Sequence, residues 1–413
     1  MNNKFYKLPD ISKKLFNNCT LLPSANELFE LELANLEYEL LTKDELIEKS
    51  AFFQKIGEKY TNHFKLCYNS NGAQAQDRSA QTRAYLEEGK FSTGYASHGL
   101  FPYRGKFHPQ LIKSILNIMG AKKGDTILDP MCGSGTANIE AALMGINSVA
   151  VDRSPFCRFM TKTKFEALSI DAFLLQGLSE KAAELFSYFN VKNIKQQLEK
   201  VKDPKKLKIY HLALLAFLDA LGYSMRVTKS GHQELFAKVL HRYEMTVLNF
   251  LKNPQFNAAS LGQVQVMEES DALKIILPDG SVDGVITSPP YSFAIDYVQN
   301  DEPQLKYLGY EPAEIRSKMI GLVGKNKAER LQNYFRDMDA ACAEISRVLK
   351  DNRFLVMIIG SNTNQTGGIR LENTIMESCK KVRLNLVKSI VKTIKGLRNT
   401  MKDEYILFFE KRG

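Results

Sequence analysis

Long apolar segments are missing from this chain of 413 residues. No run of about eighteen apolar residues, the length that crosses a bilayer, occurs, and the opening Met1-Asn2-Asn3-Lys4 lacks the apolar stretch of a signal peptide. We therefore expect a soluble, cytoplasmic protein. The six cysteines lie far apart, without the close pairs of a zinc site or a small disulfide scaffold, and the six histidines are dispersed. This spacing predicts reduced, mostly buried thiols and no metal centre.

The composition is that of an ordinary globular protein. Hydrophobic residues make up 44% and charged residues 25%, which argues against long disorder or a fibrous repeat. The length predicts one large unit with one or two accessory segments. A formal charge of +10 suits a partner rich in phosphate, because neutralising backbone phosphates supplies most non-specific affinity for nucleic acid. The same charge also fits a basic enzyme with no such partner.

Changes in residue pattern divide the chain into four parts. Residues 1–95 form a helical N-terminal segment whose role is not legible, and 68–83 within it have the Asn, Gln, Ser and Ala content of a linker. An α/β pattern starts in 96–165 and resumes in 262–413. Between them, 166–261 read as a helical insertion with concentrated lysines, which is either a binding surface or a solvated helix face.

The α/β parts contain strands, a glycine turn and helices in the order of a doubly wound sheet. A helix from Leu111 to Met119 precedes the first strand, and the last two strands could form an antiparallel hairpin that closes the sheet. Ligands of such a sheet lie at the carboxyl ends of the strands. The predicted strands are 126–128, 148–151, 264–267, 284–287, 354–359, 387–391 and 404–410.

The first chemical motif is the turn Asp129-Pro130-Met131-Cys132-Gly133-Ser134-Gly135-Thr136, between a strand and a helix. Its glycines let backbone amides approach a ligand, and the helix start attracts negative charge. A dinucleotide pyrophosphate or the carboxylate of methionine would fit, although the third glycine of the dinucleotide fingerprint is absent. Asp152, about twenty residues further on, suits the hydroxyls of a ribose or caps the next helix. Turn and acid together indicate a cofactor that contains adenosine.

The second motif is Thr287-Ser288-Pro289-Pro290-Tyr291, directly after a strand. Two prolines make a stiff turn that fixes the carbonyl groups of Ser288 and Pro289 as acceptors. An exocyclic amine that attacks a methyl sulfonium develops positive charge, which preoriented oxygens stabilise. Tyr291 offers a ring on which a base lifted from a duplex can stack. The alternative is a structural turn with a core tyrosine.

Together, the two motifs resemble the signature pair of the DNA amino methyltransferases, D-P-x-x-G-x-G-T and [DNS]-P-P-[YFW]. The resemblance covers about 96–165 and 262–413. It implies a Rossmann-like class I methyltransferase sheet, S-adenosylmethionine as cofactor and a target amine held by Ser288, Pro289, Pro290 and Tyr291. The implied cofactor-binding residues are Phe107, Pro109, Asp129, Pro130, Gly133, Gly135, Thr136, Asp152 and Asp271.

The resemblance also bears on the substrate, which it implies is double-stranded DNA. Serine at the first position of the second motif is typical of cytosine-N4 enzymes, whereas Asp or Asn is typical of adenine-N6 enzymes, so Ser288 favours cytosine N4. Target recognition would fall between the motifs, at Lys192–Lys252, and a cognate restriction endonuclease is a possible partner. Cys132 lies inside the cofactor turn, so carbon-5 methylation by a thiolate is rejected.

Two further alternatives stay open. An RNA guanine-N2 methyltransferase carries a nearly identical first turn, but usually has Asp or Asn where this chain has Ser288 and a recognisable RNA-binding domain at its N-terminus. A non-catalytic nucleic-acid-binding protein could retain the same fold.

Overall fold

The N-terminal part of the chain combines helices with a small antiparallel sheet. The computed structural model describes residues 15–22, 24–25, 27–67, 83–86, 89–92, 94–103, 105–225, 231–290, 296–360, 366, 368–393 and 403–413, with backbone only at 83–86 and 89–92. The sheet, of order β1-β2-β3, was not expected, because strands of 3, 4 and 2 residues carry no readable period. The elements are β1 (Cys19–Leu21), α1 (Leu28–Leu40), α2 (Lys43–Lys49), β2 (Phe53–Ile56), β3 (Lys59–Tyr60) and α3 (Asn62–Cys67).

A two-stranded hairpin, β4 (Arg83–Leu86) and β5 (Gly89–Ser92), leads towards the larger α/β part. The predicted linker at 68–83 lies outside the described residues except for the backbone of its last residue. The α/β part then opens with α4 (Pro109–Ile118), β6 (Thr126–Asp129), α5 (Thr136–Leu143), β7 (Asn147–Val151) and α6 (Pro155–Ala167).

Between α6 and the third strand of the large sheet, the secondary-structure elements of the described residues are helices. The longest two helices pack on each other and on α6 and α8. The helices are α7 (Ala172–Leu175), α8 (Ala182–Phe189), α9 (Ile194–Leu198), α10 (Pro204–Ser224) and α11 (His232–Leu251), with short 3-10 turns at Leu178–Lys181 and Ala258–Ser260.

The remaining elements complete the large sheet. Each strand predicted from the sequence is present: Val264–Met267 has the predicted bounds, and the bounds of the other strands differ by a few residues. The elements are β8 (Val264–Met267), β9 (Val282–Thr287), α12 (Tyr297–Asn300), α13 (Glu302–Tyr307), α14 (Pro312–Arg316), α15 (Lys327–Val348), β10 (Leu349–Gly360), α16 (Leu371–Lys381), β11 (Leu384–Thr393) and β12 (Asp403–Lys411).

The large sheet has the strand order β11-β12-β10-β9-β6-β7-β8. Neighbours from β10 to β8 are parallel, and β12 runs antiparallel to both β10 and β11. The strand order reverses direction at β6, which is where a doubly wound sheet opens a crevice for a ligand. The expected α/β fold, including the closing antiparallel pair, is confirmed.

Apolar side chains cover both faces of this sheet. On one face, Leu111 and Ile115 of α4 pack with Leu33 and Phe53 of the N-terminal part. On the other face, α15 and α16 supply a second apolar cluster that includes Ile345. A third cluster joins the inserted helices to α6, to Phe101 and to α13. The inserted helices therefore share a core with the elements that border the carboxyl ends of the strands.

No helix among the described ranges is long and apolar enough to cross a membrane. All six cysteines are free and buried, as expected for structural thiols.

Candidate active site

The two chemical motifs leave the sheet side by side. β6 and β9 are parallel neighbours, with Ile127 opposite Gly284 and Leu128 opposite Val285. Because β6 ends at Asp129 and β9 ends at Thr287, the glycine turn and the Ser288 turn begin at the same edge of the sheet. The structure thus brings together two motifs that are far apart in the chain. At the other end of these strands, Thr126 N donates a hydrogen bond to Asp283 Oδ2, 157 positions further along the sequence.

The glycine turn is held by close backbone approaches. Gly133 and Gly135 have φ angles of +49° and +76°, in the left-handed region that glycine tolerates. A Cβ on Gly135 would lie 2.6 Å from Thr161 Oγ1, so only glycine fits against α6. At Gly133 a Cβ would meet only Tyr103 among the described residues, at 3.4 Å, and Gly133 is partly exposed. The turn therefore presents its backbone at Gly133. Helix α5 begins three positions later, at the buried Thr136.

Asp152 connects this turn to the next strand. Its Oδ2 accepts a hydrogen bond from Gly133 N and its Oδ1 accepts one from Ser154 N, both at 2.8 Å. Burial raises the pKa of the carboxyl, while these two amides and Arg158 oppose the rise. Ser154, and not Asp152, is the residue that caps α6. Asp152 lies at the end of β7 as a partly exposed acid beside the glycine turn.

Asp271 lies just beyond β8, the strand next to β7, at the same edge of the sheet. Its Oδ2 pairs with Arg153 Nη1 at 2.8 Å, and its Oδ1 accepts hydrogen bonds from the amides of Leu273 and Lys274. Sequence reasoning missed Arg153, although it directly follows Asp152. The ion pair fixes the ends of β7 and β8 relative to each other.

Asp129 is fully buried at the point where the two motifs meet. Its Oδ1 accepts the Met131 amide at 3.2 Å, whereas Oδ2 and the buried Thr287 hydroxyl make no hydrogen bond of good geometry within the described part of the chain. Burial raises the pKa of Asp129 to about 8, and the Met131 amide and the neighbouring Thr287 side chain oppose the rise. The neighbouring Pro130 is also buried.

Asp129→Asn is expected to change how stability depends on pH. The ordinary pKa of this carboxyl is 3.8, against about 8 in the fold. Between these values the folded chain holds a proton that the unfolded chain has released, so the free energy of unfolding falls as pH rises, by at most about 1.4 kcal/mol per unit. Below pH 4 both states are protonated and the dependence ends. Asparagine stays neutral and lacks this slope.

Urea unfolding of both proteins at pH 5, 6.5 and 8 checks this prediction. The stability of Asp129→Asn relative to the unmodified chain should rise steadily towards pH 8. Parallel pH profiles would show that Asp129 is ionised in the fold.

Near the Lys106–Pro109 segment, the residue that lies against the glycine turn is Tyr103, which precedes the segment in the chain. Pro109 is the buried first residue of α4, and the partly buried Phe107 packs on the core cluster beneath the N-terminal part. It is Tyr103 that lies against the glycine turn, with its hydroxyl 3.3 Å from Cys157 Sγ. The sequence analysis missed Tyr103 because no local pattern marks it.

Tyr103 also meets the segment that follows the second motif. Its ring stacks on Tyr297, with centroids 6.3 Å apart and planes at 17°. A Cβ on Gly105 would lie 3.1 Å from the Tyr297 hydroxyl, so Gly105, like Tyr103, lies close to α12. We name Tyr103 and Tyr297 the tyrosine pair. It links the surroundings of the glycine turn to those of the Ser288 turn.

In the second motif, Pro289 is buried, and Ser288 and Pro290 are partly exposed. Tyr291 lies outside the described residues. Cys132 is buried in the glycine turn, with Sγ 3.6 Å from Thr161 Oγ1, and burial raises its pKa well above the ordinary value. A neutral, buried thiol is a poor nucleophile, which agrees with the rejection of carbon-5 chemistry.

The residues at this edge fit an adenosyl cofactor. Gly133 offers backbone that a side chain would cover, Asp152 offers a partly exposed carboxylate, and Asp129 and Thr287 have buried oxygens with capacity for further hydrogen bonds. With the strand order of the sheet, these features define a class I S-adenosylmethionine-dependent methyltransferase domain. S-adenosylmethionine is its cofactor.

Comparisons with known proteins agree with this class. Residues 100–209 match the family model described as UPF0020: RMKL-like, methyltransferase domain. The chain is similar to the type II methyltransferase M.BsoBI of Geobacillus stearothermophilus, with 25% identity over 62% of this chain and 63% of that protein. It is also similar to the type II methyltransferase M.MjaII of Methanocaldococcus jannaschii, with 32% identity over 35% of this chain and 28% of that protein. The resemblance expected from the two motifs is confirmed.

Two further similarities are to a tRNA methyltransferase and to a solved structure. The tRNA (guanine(10)-N2)-dimethyltransferase of Methanothermobacter thermautotrophicus is 40% identical over 18% of this chain and 23% of that protein. A crystal structure of a SAM-dependent methyltransferase from Methanosarcina mazei aligns with 71% of this chain and 94% of that chain, at 11% identity and a TM-score of 0.34. The chain spans less than two thirds of the length of each curated relative named here.

Proposed function

We propose that this chain is a site-specific DNA methyltransferase that moves the methyl group of S-adenosylmethionine to the exocyclic amino group of a base, and that the base is cytosine with N4 as the acceptor. The observation that carries the proposal is the pairing of β6 with β9, which starts the glycine turn and the Ser288 turn at one edge of the sheet. A methyl donor held by the first turn and an amine held by the second would then face each other.

The proposed cofactor contacts follow from the positions of the residues. The start of α5 at Thr136, with the backbone of Gly133 and Gly135 beside it, would receive the methionine part, because the first turn of a helix favours a carboxylate. The amides of Gly133 and Gly135 themselves already donate to Asp152 Oδ2 and to Cys132 O. Asp152 would accept hydrogen bonds from the ribose hydroxyls. Asp271 would contact the adenine from the end of the neighbouring strand, with its orientation fixed by Arg153. Phe107 and Pro109 would act indirectly, by placing the chain that carries Tyr103.

The proposed reaction is direct transfer with no covalent enzyme intermediate. The base is lifted from the duplex and stacks on Tyr291, and the carbonyl groups of Ser288 and Pro289 accept hydrogen bonds from its amino group. Pro290 keeps this turn rigid. These acceptors would stabilise the positive charge that develops on nitrogen as the N–CH3 bond forms and the S–CH3 bond breaks. S-adenosylhomocysteine would leave, and the methylated amino group would lose one proton to water. Alignment of the two reactants would supply much of the rate.

The inserted helices are our candidate for target recognition, but Lys208 of their lysine-rich run contacts the end of α6 that is remote from the site. Lys208 Nζ bonds Ser169 Oγ at 2.8 Å, just past the carboxyl end of α6, whereas α6 begins at the site edge of the sheet. At the other end of α10, Gln304 of α13 donates to Leu218 O. About 27 Å of helix separates Pro204 from Gly222 at 1.5 Å per residue. These contacts favour the solvated-face interpretation for Lys200–Lys208, and we infer that the Gly222 end of α10 lies nearer the site.

The second candidate is RNA guanine-N2 methylation, which the short match at 40% identity favours. DNA is supported by the two type II relatives, of which the first matches over 62% of this chain, and by Ser288. A non-catalytic role is the third candidate, and it requires cofactor binding without methylation of any nucleic acid.

Labelled cofactor separates these candidates. The full chain is incubated with tritiated S-adenosylmethionine and, separately, with bacterial DNA and with total RNA. Label in DNA, recovered as 4-methylcytosine after nucleoside digestion and mass spectrometry, is the expected result. Recovery of 6-methyladenine would support the proposed site but show that the target base is adenine. Label in RNA alone would favour the second candidate. Mapping modified bases across the genome of an expressing host would give the recognition sequence and direct the search for a cognate nuclease.

A further inference from the structure

The tyrosine pair is held from both sides by the inserted helices. On the Tyr103 side, Phe101 adopts a φ of +57°, a left-handed conformation that is unusual for a residue with a side chain. Its amide donates a hydrogen bond of 2.7 Å to Tyr243 Oη, across 142 residues of sequence. Two residues later, Tyr103 N donates to Phe101 O at 2.9 Å. The conformation at Phe101 therefore sets where Tyr103 lies.

Tyr243 is itself fixed within the insertion. It is fully buried, and its hydroxyl donates to Asp219 Oδ2 at 3.0 Å. The same carboxylate oxygen receives Arg242 Nη2 at 2.7 Å. Asp219 belongs to α10, and Arg242 and Tyr243 belong to α11. One hydroxyl thus connects the packing of the two longest inserted helices to the backbone of the chain beside the glycine turn.

On the Tyr297 side, α10 contacts α13, the helix that follows α12. Gln304 Nε2 donates to Leu218 O at 3.1 Å, and a Cβ on Gly222 would lie 2.2 Å from that same nitrogen. A side chain at residue 222 would therefore displace the amide of Gln304 from this position. Since Asp219 lies one residue after Leu218, a single turn of α10 contacts the supports of both tyrosines.

We propose that Tyr243 is a positioning residue, which acts through Phe101 and Tyr103 to hold the wall of the cofactor site against Gly133, so that the inserted helices set the affinity for S-adenosylmethionine. This inference rests on the proposed function for its ligand. The insertion is then part of the cofactor site, in addition to its candidate role in target recognition.

Tyr243→Phe tests the proposal with little change in volume, because the buried ring stays and only the hydroxyl is removed. The Phe101 amide then loses its acceptor, and the left-handed conformation loses its support. We expect the Kd for S-adenosylmethionine, measured by calorimetry, to rise about tenfold, equivalent to about 1.4 kcal/mol, with a smaller change in kcat. Tyr334→Phe is the matched control, since Tyr334 is also fully buried and its hydroxyl has no hydrogen-bond partner among the described residues. That control should bind within twofold of the unmodified chain.

A double-mutant cycle separates positioning from general weakening of the fold. If Tyr243 acts through Tyr103, Tyr243→Phe should cost less than threefold in a Tyr103→Ala background. An undiminished tenfold cost there, or unchanged affinity in the single variant, would overturn the proposal.

A readout without cofactor keeps this inference distinct from the proposed function. The chain has no tryptophan, so Tyr103→Trp introduces a single indole at the wall. Its quenching by acrylamide should increase when Tyr243→Phe is added and should not change when Tyr334→Phe is added. Equal quenching in all three proteins would refute the link to Tyr103. Absence of cofactor binding in the unmodified chain, with the quenching difference present, would instead refute the proposed function.

Discussion

Alanine at Gly135 is expected to weaken binding of S-adenosylmethionine at least a hundredfold. The new Cβ would sit 2.6 Å from Thr161 Oγ1 and 2.7 Å from Thr161 Cγ2, far inside normal contact. Thr161 is fully buried on α6, and its hydroxyl lies 3.4 Å from Gly133 O, so the clash is relieved by displacing the glycine turn itself. Calorimetric titration with S-adenosylmethionine measures the loss.

Gly120→Ala is the control for the backbone cost alone. Gly120 has a φ of +68°, close to that of Gly135, yet no atom of the described residues lies within 4 Å of its would-be Cβ. Both variants lose the conformational freedom of glycine, and only Gly135→Ala adds a steric clash at the turn. Equal cofactor affinity in the two variants would mean that the glycine turn does not form the cofactor site.

Alanine at Tyr291 or at Ser288 is expected to lower turnover while it leaves cofactor binding within about threefold. Stacking of a base on an aromatic ring contributes about 1–3 kcal/mol, which corresponds to a loss of roughly fivefold to 150-fold for Tyr291→Ala. The cofactor turn leaves a different strand, so its affinity should stay nearly constant. Single-turnover methylation of DNA, combined with calorimetry, separates the two quantities.

Tyr291→Phe provides the matched comparison, because it keeps the ring and removes the hydroxyl. It should retain most of the activity if stacking is the role of Tyr291. If both alanine variants methylate normally, the Ser288–Tyr291 turn does not hold the target base. A loss in Tyr291→Phe as large as in Tyr291→Ala would assign the role to the hydroxyl instead.

Strands and turns of this protein could be predicted because their signals are local. The strand β8 was predicted at its observed bounds, Val264–Met267, and the glycine turn after β6 was recognised from eight consecutive residues. The hairpin of β11 and β12 could be anticipated because the strands follow each other in the chain. The small N-terminal sheet could not, since Lys59–Tyr60 is too short to show alternation.

Contacts between distant residues account for what the sequence did not reveal. Tyr103 became a site residue only because it packs on Gly133, and Tyr243 because its hydroxyl meets the Phe101 amide. Neither tyrosine lies in a motif, and spacing along the chain contains no information on which side chains the fold brings together. The position of the Lys200–Lys208 run relative to the site could not be predicted either. A run of charged residues indicates that a surface is solvated, but it does not indicate where on the fold that surface lies.

The shared core of the inserted helices limits how this protein can be re-engineered. Leu212 and Leu218 of α10 belong to the same apolar cluster as Phe156, Val298 and Leu305, which flank the site edge of the sheet. An insertion with a core of its own could be exchanged between homologues like a cassette. Here, excision would expose the underside of α6 and α13, so a transplanted insertion must match those two helices side chain by side chain. Changes to the insertion are therefore more accessible as point substitutions on the exposed surface of α10 and α11 than as grafts of whole segments.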